Sequence, residues 1–328
     1  MMRVSRLLRA PAALAIGLCV SLGHAVPATA QSRQPIRIIV PFPPGGATDQ
    51  IARRVQPLLE RNLKTTIVIE NRGGASGAIG TQVAVTSVPD GTTFLLVFDT
   101  HGVNPSLLPN LPFDTLKDLT PVMLIGKSPM VITAHPTAAY RSFADVVAAS
   151  KDKSGSIAYG TIGSGSLAHL AMTQIANALG VTMTHVPYKG GGPLTTDAIG
   201  GHVPVAIASI ALLSPHIHAG ALRPLAVTSA KRSALSPDAP TIGELGITGF
   251  DAEAWWGLLA PAKTPTQIVA RMNAAMAEAL QEPAVKQSLS EQGIDYQLSS
   301  PEAFGSFLEG EIARWAKVVR DNRIVNGE

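Results

Sequence analysis

The 328 residues carry 26 Lys plus Arg against 23 Asp plus Glu, and Arg3, Arg6 and Arg9 account for the whole surplus. The rest of the chain is electrically balanced, so the pI of about 9.1 is no sign of nucleic-acid binding. The single cysteine, Cys19, also lies near the start, which excludes disulfides and cysteine metal sites from everything after it.

Residues 1–30 read as a signal peptide: three arginines, an apolar run, then Ala28-Thr29-Ala30, with cleavage expected after Ala30. Cys19 follows Leu18, where a lipoprotein signal wants a small residue. The expectation is therefore a protein exported to the periplasm and not a lipoprotein. No later stretch reaches the ~18 uninterrupted apolar residues of a membrane helix. At roughly 100–200 residues per domain, the remainder suffices for two domains.

"IRIIV" (36–40) reads as a buried strand, followed by the loop "PFPPGGA". A helix follows with Ile51, Val55, Leu58 and Leu59 at helical spacing and Thr48 as its expected N-cap. "TTIVIE" (65–70) is a second strand, "NRGGASGA" a second glycine loop, "IGTQVAVTSV" a helix and "TTFLLVF" (92–98) a third strand. The plan then repeats. "GSIAYG" (155–160) leads through "TIGSGS" into the helix "LAHLAMTQIANALG". "VTMTHVPY" (181–188) leads through "KGGGP" into "LTTDAIGG", and "VPVAIAS" (203–209) is a strand. "SPHIHAG" is a short helix with Ser214 as cap, and "LRPLAVTS" (222–229) closes the series. Two copies of one supersecondary plan predict two mostly parallel α/β domains.

Two apolar strand-like runs, 121–135 and 249–261, flank the second copy. If they cross between domains, the second domain is inserted into the first, with boundaries at 33–132 plus 256–326 and at 133–255. The two tail helices then return to the first domain. In the last, Phe304, Phe307, Leu308, Ile312, Trp315 and Val319 share one face. Glycine loops at the carboxyl ends of parallel strands sit where open α/β sheets bind ligands, and two such domains face each other across a cleft that closes by hinge motion.

"YGTIGSGSLAHL" invites three chemistries. Gly163 to Ala168 satisfies G-x-G-x-x-G/A, but the following strand ends "HVPYK" without the acid a dinucleotide site needs. Neither Ser164 nor Ser166 sits in G-x-S-x-G, and nothing assembles a triad with His169 or His185. The remaining histidines are scattered, without the convergent ligands of a metal site, so neither metal nor cofactor is expected. An anion needs least: a helix start offers unpaired amides and a partial positive charge, glycines allow close approach, and serines add neutral donors. "PFPPGGATD", with Gly46 and Ala47, offers a second such start, and "GGASGA", with Ser76 and Gly77, and "KGGGP" offer two more loops. Several residues admit two readings. Asp49 either lines a site or compensates a helix dipole; Phe42 stacks on a ligand or ends a strand in the core. Arg72 clamps a carboxylate or is a solvated loop arginine. Of Trp255 and Trp256, which alternate, at most one faces the cleft.

"IRIIVPFPPGGATDQIAR", "IVIENRGGASGAIG", "PDGTTFLL", "YGTIGSGSLAHL", "VPYKGGGP" and "ALRPLAVTS" together resemble the Bug-type (TctC-like) periplasmic solute receptors of tripartite tricarboxylate transporters. The resemblance spans nearly all of the chain after the signal. It implies a two-lobed, Venus-flytrap receptor that is monomeric, non-enzymatic and binds a small organic, amino or aromatic acid for membrane transporter subunits. It implies that the loop from Phe42 to Asp49 holds one carboxylate, partly through water, near the Asp99-Thr100-His101 loop. Thr161 to Ser166 with His169, and the turn at Tyr188, complete the implied cleft. Many relatives carry Asn or Asp at the end of the strand before "PHIHAG"; this chain has only Ser209 there, which leans toward a less polar acid. Two other readings stand beside it: an exported hydrolase using Ser164 or Ser166 with His169, and a sensory subunit for a membrane histidine kinase.

Overall fold

The computed structural model describes residues 34–325 apart from 109 and 154; the expected signal and its cleavage site lie outside the described residues. The aliphatic run of β1 (Ile36–Val40) buries its last three residues. α1 (Ala47–Leu63) buries Ile51, Val55 and Leu59, which recur every four residues on one face. Its N-cap is Gly46, not Thr48; Thr48 lies inside the first turn, where its Oγ1 accepts from Trp256 Nε1 at 3.2 Å. β2 (Ile67–Asn71), a 3₁₀ turn at Ala75–Gly77, α2 (Ala78–Val85) and β3 (Thr93–Phe98) complete the first series.

Where the resemblance implies a loop at Asp99 to His101, α3 (Thr100–Leu107) begins directly after β3. Gly102 and Pro105 hide this helix from propensity. Packing explains it: a Cβ at Gly102 would stand 3.3 Å from Trp255 Cζ2, so the glycine lets the helix lie close. β4 (Leu119–Ala134) follows, then α4 (Phe143–Asp152), a helix not expected above. Ser142 Oγ accepts from Asp145 N and the Asp145 carboxylate accepts from Ser142 N, a reciprocal cap.

The second series runs β5 (Ala158–Thr161), α5 (Leu167–Leu179), β6 (Thr184–Pro187), α6 (Gly191–Ile199), β7 (Val205–Ser209), α7 (Ile210–His218) and β8 (Arg223–Val227). α7 starts at Ile210, one turn before the expected cap at Ser214, which is buried within the helix. Its first turn is apolar like the strand before it, so no change of period marks the boundary. β9 (Glu253–Pro261), α8 (Thr266–Gln281), α9 (Pro283–Glu291), β10 (Asp295–Tyr296) and α10 (Pro301–Asp321) end the chain.

The strand order is β2-β1-β3-β9-β4-β7-β5-β6, with β8 and β10 also pairing with β4. β1 runs parallel to β2 and β3, and β5 runs parallel to β6 and β7. β4 serves both halves: Leu119 to Pro129 pair with β9, and Met130 to Ala134 pair with β7. The result is a two-lobed α/β fold, each lobe a mostly parallel sheet flanked by helices. The chain passes between sheet halves within β4 and again between β8 and β9. Buried Thr228 ties these passages together: its Oγ1 accepts from Met130 N at 3.0 Å and donates to Ala252 O at 2.5 Å.

Both tryptophans of β9 are core residues, within the expectation that at most one would face the cleft. Trp256 packs on Phe98 at 5.1 Å, and Phe98 meets Phe42 edge-on at 6.2 Å. Trp255 points to the other face, onto Phe304 and Phe307, and donates to Glu311 Oε2 at 3.2 Å. Phe42 therefore belongs to an aromatic chain that starts in the core and ends on the wall of a cavity.

Candidate ligand-binding cleft

The carboxyl ends of the parallel strands open on one cavity of about 480 Å³. Five helices begin on its wall. Gly46 to Thr48 belong to the start of α1, Thr100 to α3, Gly163 to Ser166 to α5, Gly190 to Gly192 to α6, and Ser209 to α7. Each start has amides its own helix cannot pair and contributes a partial positive charge. Between them the wall is apolar, with Phe42, Phe98, Met130, Ile162 and Leu212. Among the described lining residues there is no Asp, Glu, Arg or His, and the one charged side chain is the exposed Lys189.

In the first lobe a hydrogen-bonded bracket holds the loop from behind. Asp49 Oδ2 accepts from Gly45 N at 2.9 Å, and its carboxylate accepts from Arg53 Nε at 2.9–3.0 Å. Asn71 Nδ2 donates to Asp49 Oδ1 at 3.0 Å and to Phe42 O at 3.1 Å. Burial pushes the Asp49 carboxyl up, but the bonds from Arg53, Gly45 and Asn71 outweigh it and hold the group below the usual carboxylate range. Asp49 is buried and off the wall. Its bonds occupy Gly45 N, whereas among the described residues no hydrogen bond engages the amides of Gly46, Ala47 and Thr48.

In the second lobe the loop spends many of its donors on itself. Gly163 N donates to Thr161 Oγ1, Gly165 N to His169 Nδ1 at 3.1 Å, and Ser166 N to Gly163 O. Ser166 Oγ donates to Gly163 O at 2.7 Å and caps α5 by accepting from His169 N. Ser164 alone in the loop keeps both its amide and its hydroxyl unengaged among the described residues. Thr161 Oγ1 lies 2.7 Å from His185 Nε2, and the His185 ring stacks on His169. Neither serine hydroxyl is bonded to an imidazole, so the pairing a serine nucleophile needs is not assembled here.

Of the residues singled out by sequence, Phe42, Gly46, Ala47, Ser76, Thr100, Ser164, Gly165, Ser166 and Ser209 line the cavity. Asp49, Gly77, His101, Thr161, His169 and Tyr188 do not. Each of these six stands behind the wall. Asp49 brackets the first loop, and Gly77 N closes the 3₁₀ turn onto Gly74 O. Thr161 and His169 hold the second loop. Tyr188 Oη donates to Asp197 Oδ2 at 2.9 Å, and burial pushes the phenol up to about 12. His101 is buried and held neutral, pushed down to about 4 by burial. Beside it the buried Asp99 carboxyl is driven well up by burial and by nearby Glu311. Arg72 is engaged by Glu70, with Nε donating at 2.7 Å. Sequence reasoning missed Asn104, whose Nδ2 donates to Ser76 O at 3.0 Å, because α3 was not expected. It also passed over Lys189, which it treated only as the lead-in to three glycines.

Two α/β lobes around one helix-ringed, largely apolar cleft define a solute-binding receptor of the periplasmic-binding-protein fold. The chain belongs to the TctC family: the model described as "Tripartite tricarboxylate transporter family receptor" matches residues 51–324. It is 37% identical over 303 residues to Protein BugT of Bordetella pertussis, covering 91% of this chain and 93% of that one. Among solved structures, "periplasmic binding protein BugD" superposes with a TM-score of 0.80 at 30% identity, covering 89% of this chain and 98% of that one. "R. palustris Rpa4515 with adipate" superposes with a TM-score of 0.81 at 33% identity, covering 88% and 97%.

Proposed function

We propose that this receptor takes a small organic acid by its carboxylate in the cleft, closes on it in the periplasm, and hands it to the membrane subunits of a tripartite transporter. The observation that carries the reading is the convergence of five helix starts on one cavity. Their dipoles and unpaired amides favour an anion, while the apolar wall suits the body of an organic acid. The protein acts as a monomer without a cofactor and without catalysis. Its lobes are assigned to 33–132 plus 256–326 and to 133–255; the use of β4 by both sheet halves supports this division. Closure follows if the ligand binds the closed form better than the open one. That adipate accompanies a relative with a TM-score of 0.81 supports a carboxylate here.

A thermal-shift screen of mono-, di- and tricarboxylates tests the proposal. At 100-fold excess over Kd a ligand adds about 2.7 kcal/mol of stability. Ser164→Asp, which sets a negative charge on the wall, abolishes that gain while the protein stays folded. Full ligand stabilisation in that variant would place the anion elsewhere.

A further inference from the structure

Lys189 is the one charged side chain on the described cleft wall, and its ammonium has no ion-pair or hydrogen-bond partner among the described residues. The backbone carrying it is fixed. Tyr188 N donates to Thr161 O and Gly190 N to Ile162 O, both at 3.0 Å. The Tyr188 ring closes on Gly160, where a Cβ would stand 2.9 Å from Cε2, and its hydroxyl is held by Asp197. A hydrogen-bonded turn thus carries an exposed lysine, without a partner among the described residues, on the cavity lining. Ile162 and Leu212 line the same cavity, and Leu212 packs so closely on Gly191 that a Cβ there would meet Cδ2 at 2.8 Å.

Resting on the carboxylate reading of the cleft, we propose that Lys189 is a specificity-determining residue that selects acids carrying a second anionic group. The neutral donors of the glycine loops suffice for one carboxylate. A monoanion then leaves the lysine charge unanswered, whereas a dianion answers it. No carboxylate on the wall competes for the ammonium.

Calorimetric titration of matched pairs tests this: succinate with butanoate, adipate with hexanoate, terephthalate with benzoate. The proteins are the wild type, Lys189→Met and Lys189→Arg. The wild type binds the diacid of at least one pair more tightly. Lys189→Met weakens that diacid roughly ten- to a hundredfold, the worth of one charged hydrogen bond, and by far more than its monoacid partner. Lys189→Arg keeps the preference for the diacid. Equal losses for both members of a pair, no loss at all, or a wild-type preference for the monoacids would overturn the role of Lys189 alone. Failure of the wild type to bind every one of these acids would sink the carboxylate reading, and the lysine's role with it.

Discussion

The imidazoles of His169 and His185 lie face to face, 3.8 Å between centroids and 11° from parallel. The stack excludes two charged rings, since two imidazolium ions at that distance repel. His169 Nδ1 also accepts from Gly165 N, which only an unprotonated nitrogen can do. Burial pushes His169 down; burial and then the neighbouring His169 push His185 down to about 4. Both folded values lie below the unfolded value of about 6.5, so the unfolded chain takes up protons first. Stability therefore falls as pH drops from about 6.5 toward about 4, and the loss is complete below the folded values. Buried His101, also pushed down to about 4, adds to the slope. Melting temperature against pH shows this fall. In a His169→Gln, His185→Gln double variant the slope is shallower, leaving mainly the His101 share; an unchanged slope would contradict the assignment.

Asp49 brackets the loop that the proposed anion site uses. Asp49→Ala strips partners from Gly45 N, Asn71 and Arg53 together. Arg53 is half exposed and recovers water, so the cost is about 1–3 kcal/mol and not that of a fully buried ion pair. Urea denaturation reads that loss, and titration with the ligand found in the screen reads a parallel fall in affinity. Asp49→Asn is intermediate, because one acceptor oxygen remains. The folded carboxyl value lies below the usual one, so its contribution is present above about 3.9 and lost only as pH falls through the lower folded value. Asp49 thus stays ionised through the histidine window.

Gly165 meets Leu107 across the cleft. Its φ is +71°, and a Cβ there would stand 2.1 Å from Leu107 Cδ1. Gly165→Ala therefore meets two penalties: the left-handed backbone, about 1–2 kcal/mol, and a steric conflict with α3. The backbone penalty lowers the stability of free and bound protein alike, so affinity drops only by what the conflict with Leu107 adds when ligand is held. Leu107→Ala removes the opposing methyl groups, so the double variant binds better than the sum of the two single losses predicts. Strict additivity in that double-mutant cycle would mean the two residues do not press on each other when ligand is held.

How much was legible depended on where the hydrophobic period changes. The strand, glycine loop and helix of Ile36 to Leu63 announce themselves because a continuous aliphatic run gives way to a period of four. The same change exposes α5 after Gly165. α3 stays hidden because Gly102 and Pro105 argue against a helix that only packing under Trp255 makes favourable. The glycine loops of the cleft were readable as backbone donors. The direction of individual side chains was not. Asp49, His169 and Tyr188 have the residue types of a site, yet their side chains turn back to hold the loops, a choice made by Asn71, Gly165 and Asp197, distant in sequence or on another element. The hydrogen bonds inside Thr161 to Ser166 likewise show that a polar loop offers fewer free donors than its composition promises.

In the proposed acid site, Ser209 stands where a carboxylate would have to meet an ammonium on the ligand. It is the N-cap of α7 and lies on the wall, and no lining residue carries a carboxylate. The nearest acid of the first loop, Asp49, is engaged by three partners and faced away. An ammonium group on the ligand would lose its water without gaining an anionic acceptor, a cost that disfavours it strongly. The wild-type protein therefore binds succinate more tightly than aspartate, and the neutral-bodied acid over its amino analogue in general. Ser209→Asp puts a carboxylate at that position, and aspartic acid is itself a favourable N-cap, so the helix start is kept. The added charge lowers affinity for succinate by repulsion and pairs with the ammonium of aspartate, so the preference narrows or reverses. Titration of both acids into both proteins reads this directly. A wild-type protein that already prefers aspartate would show that an acceptor for the ammonium exists outside the described wall.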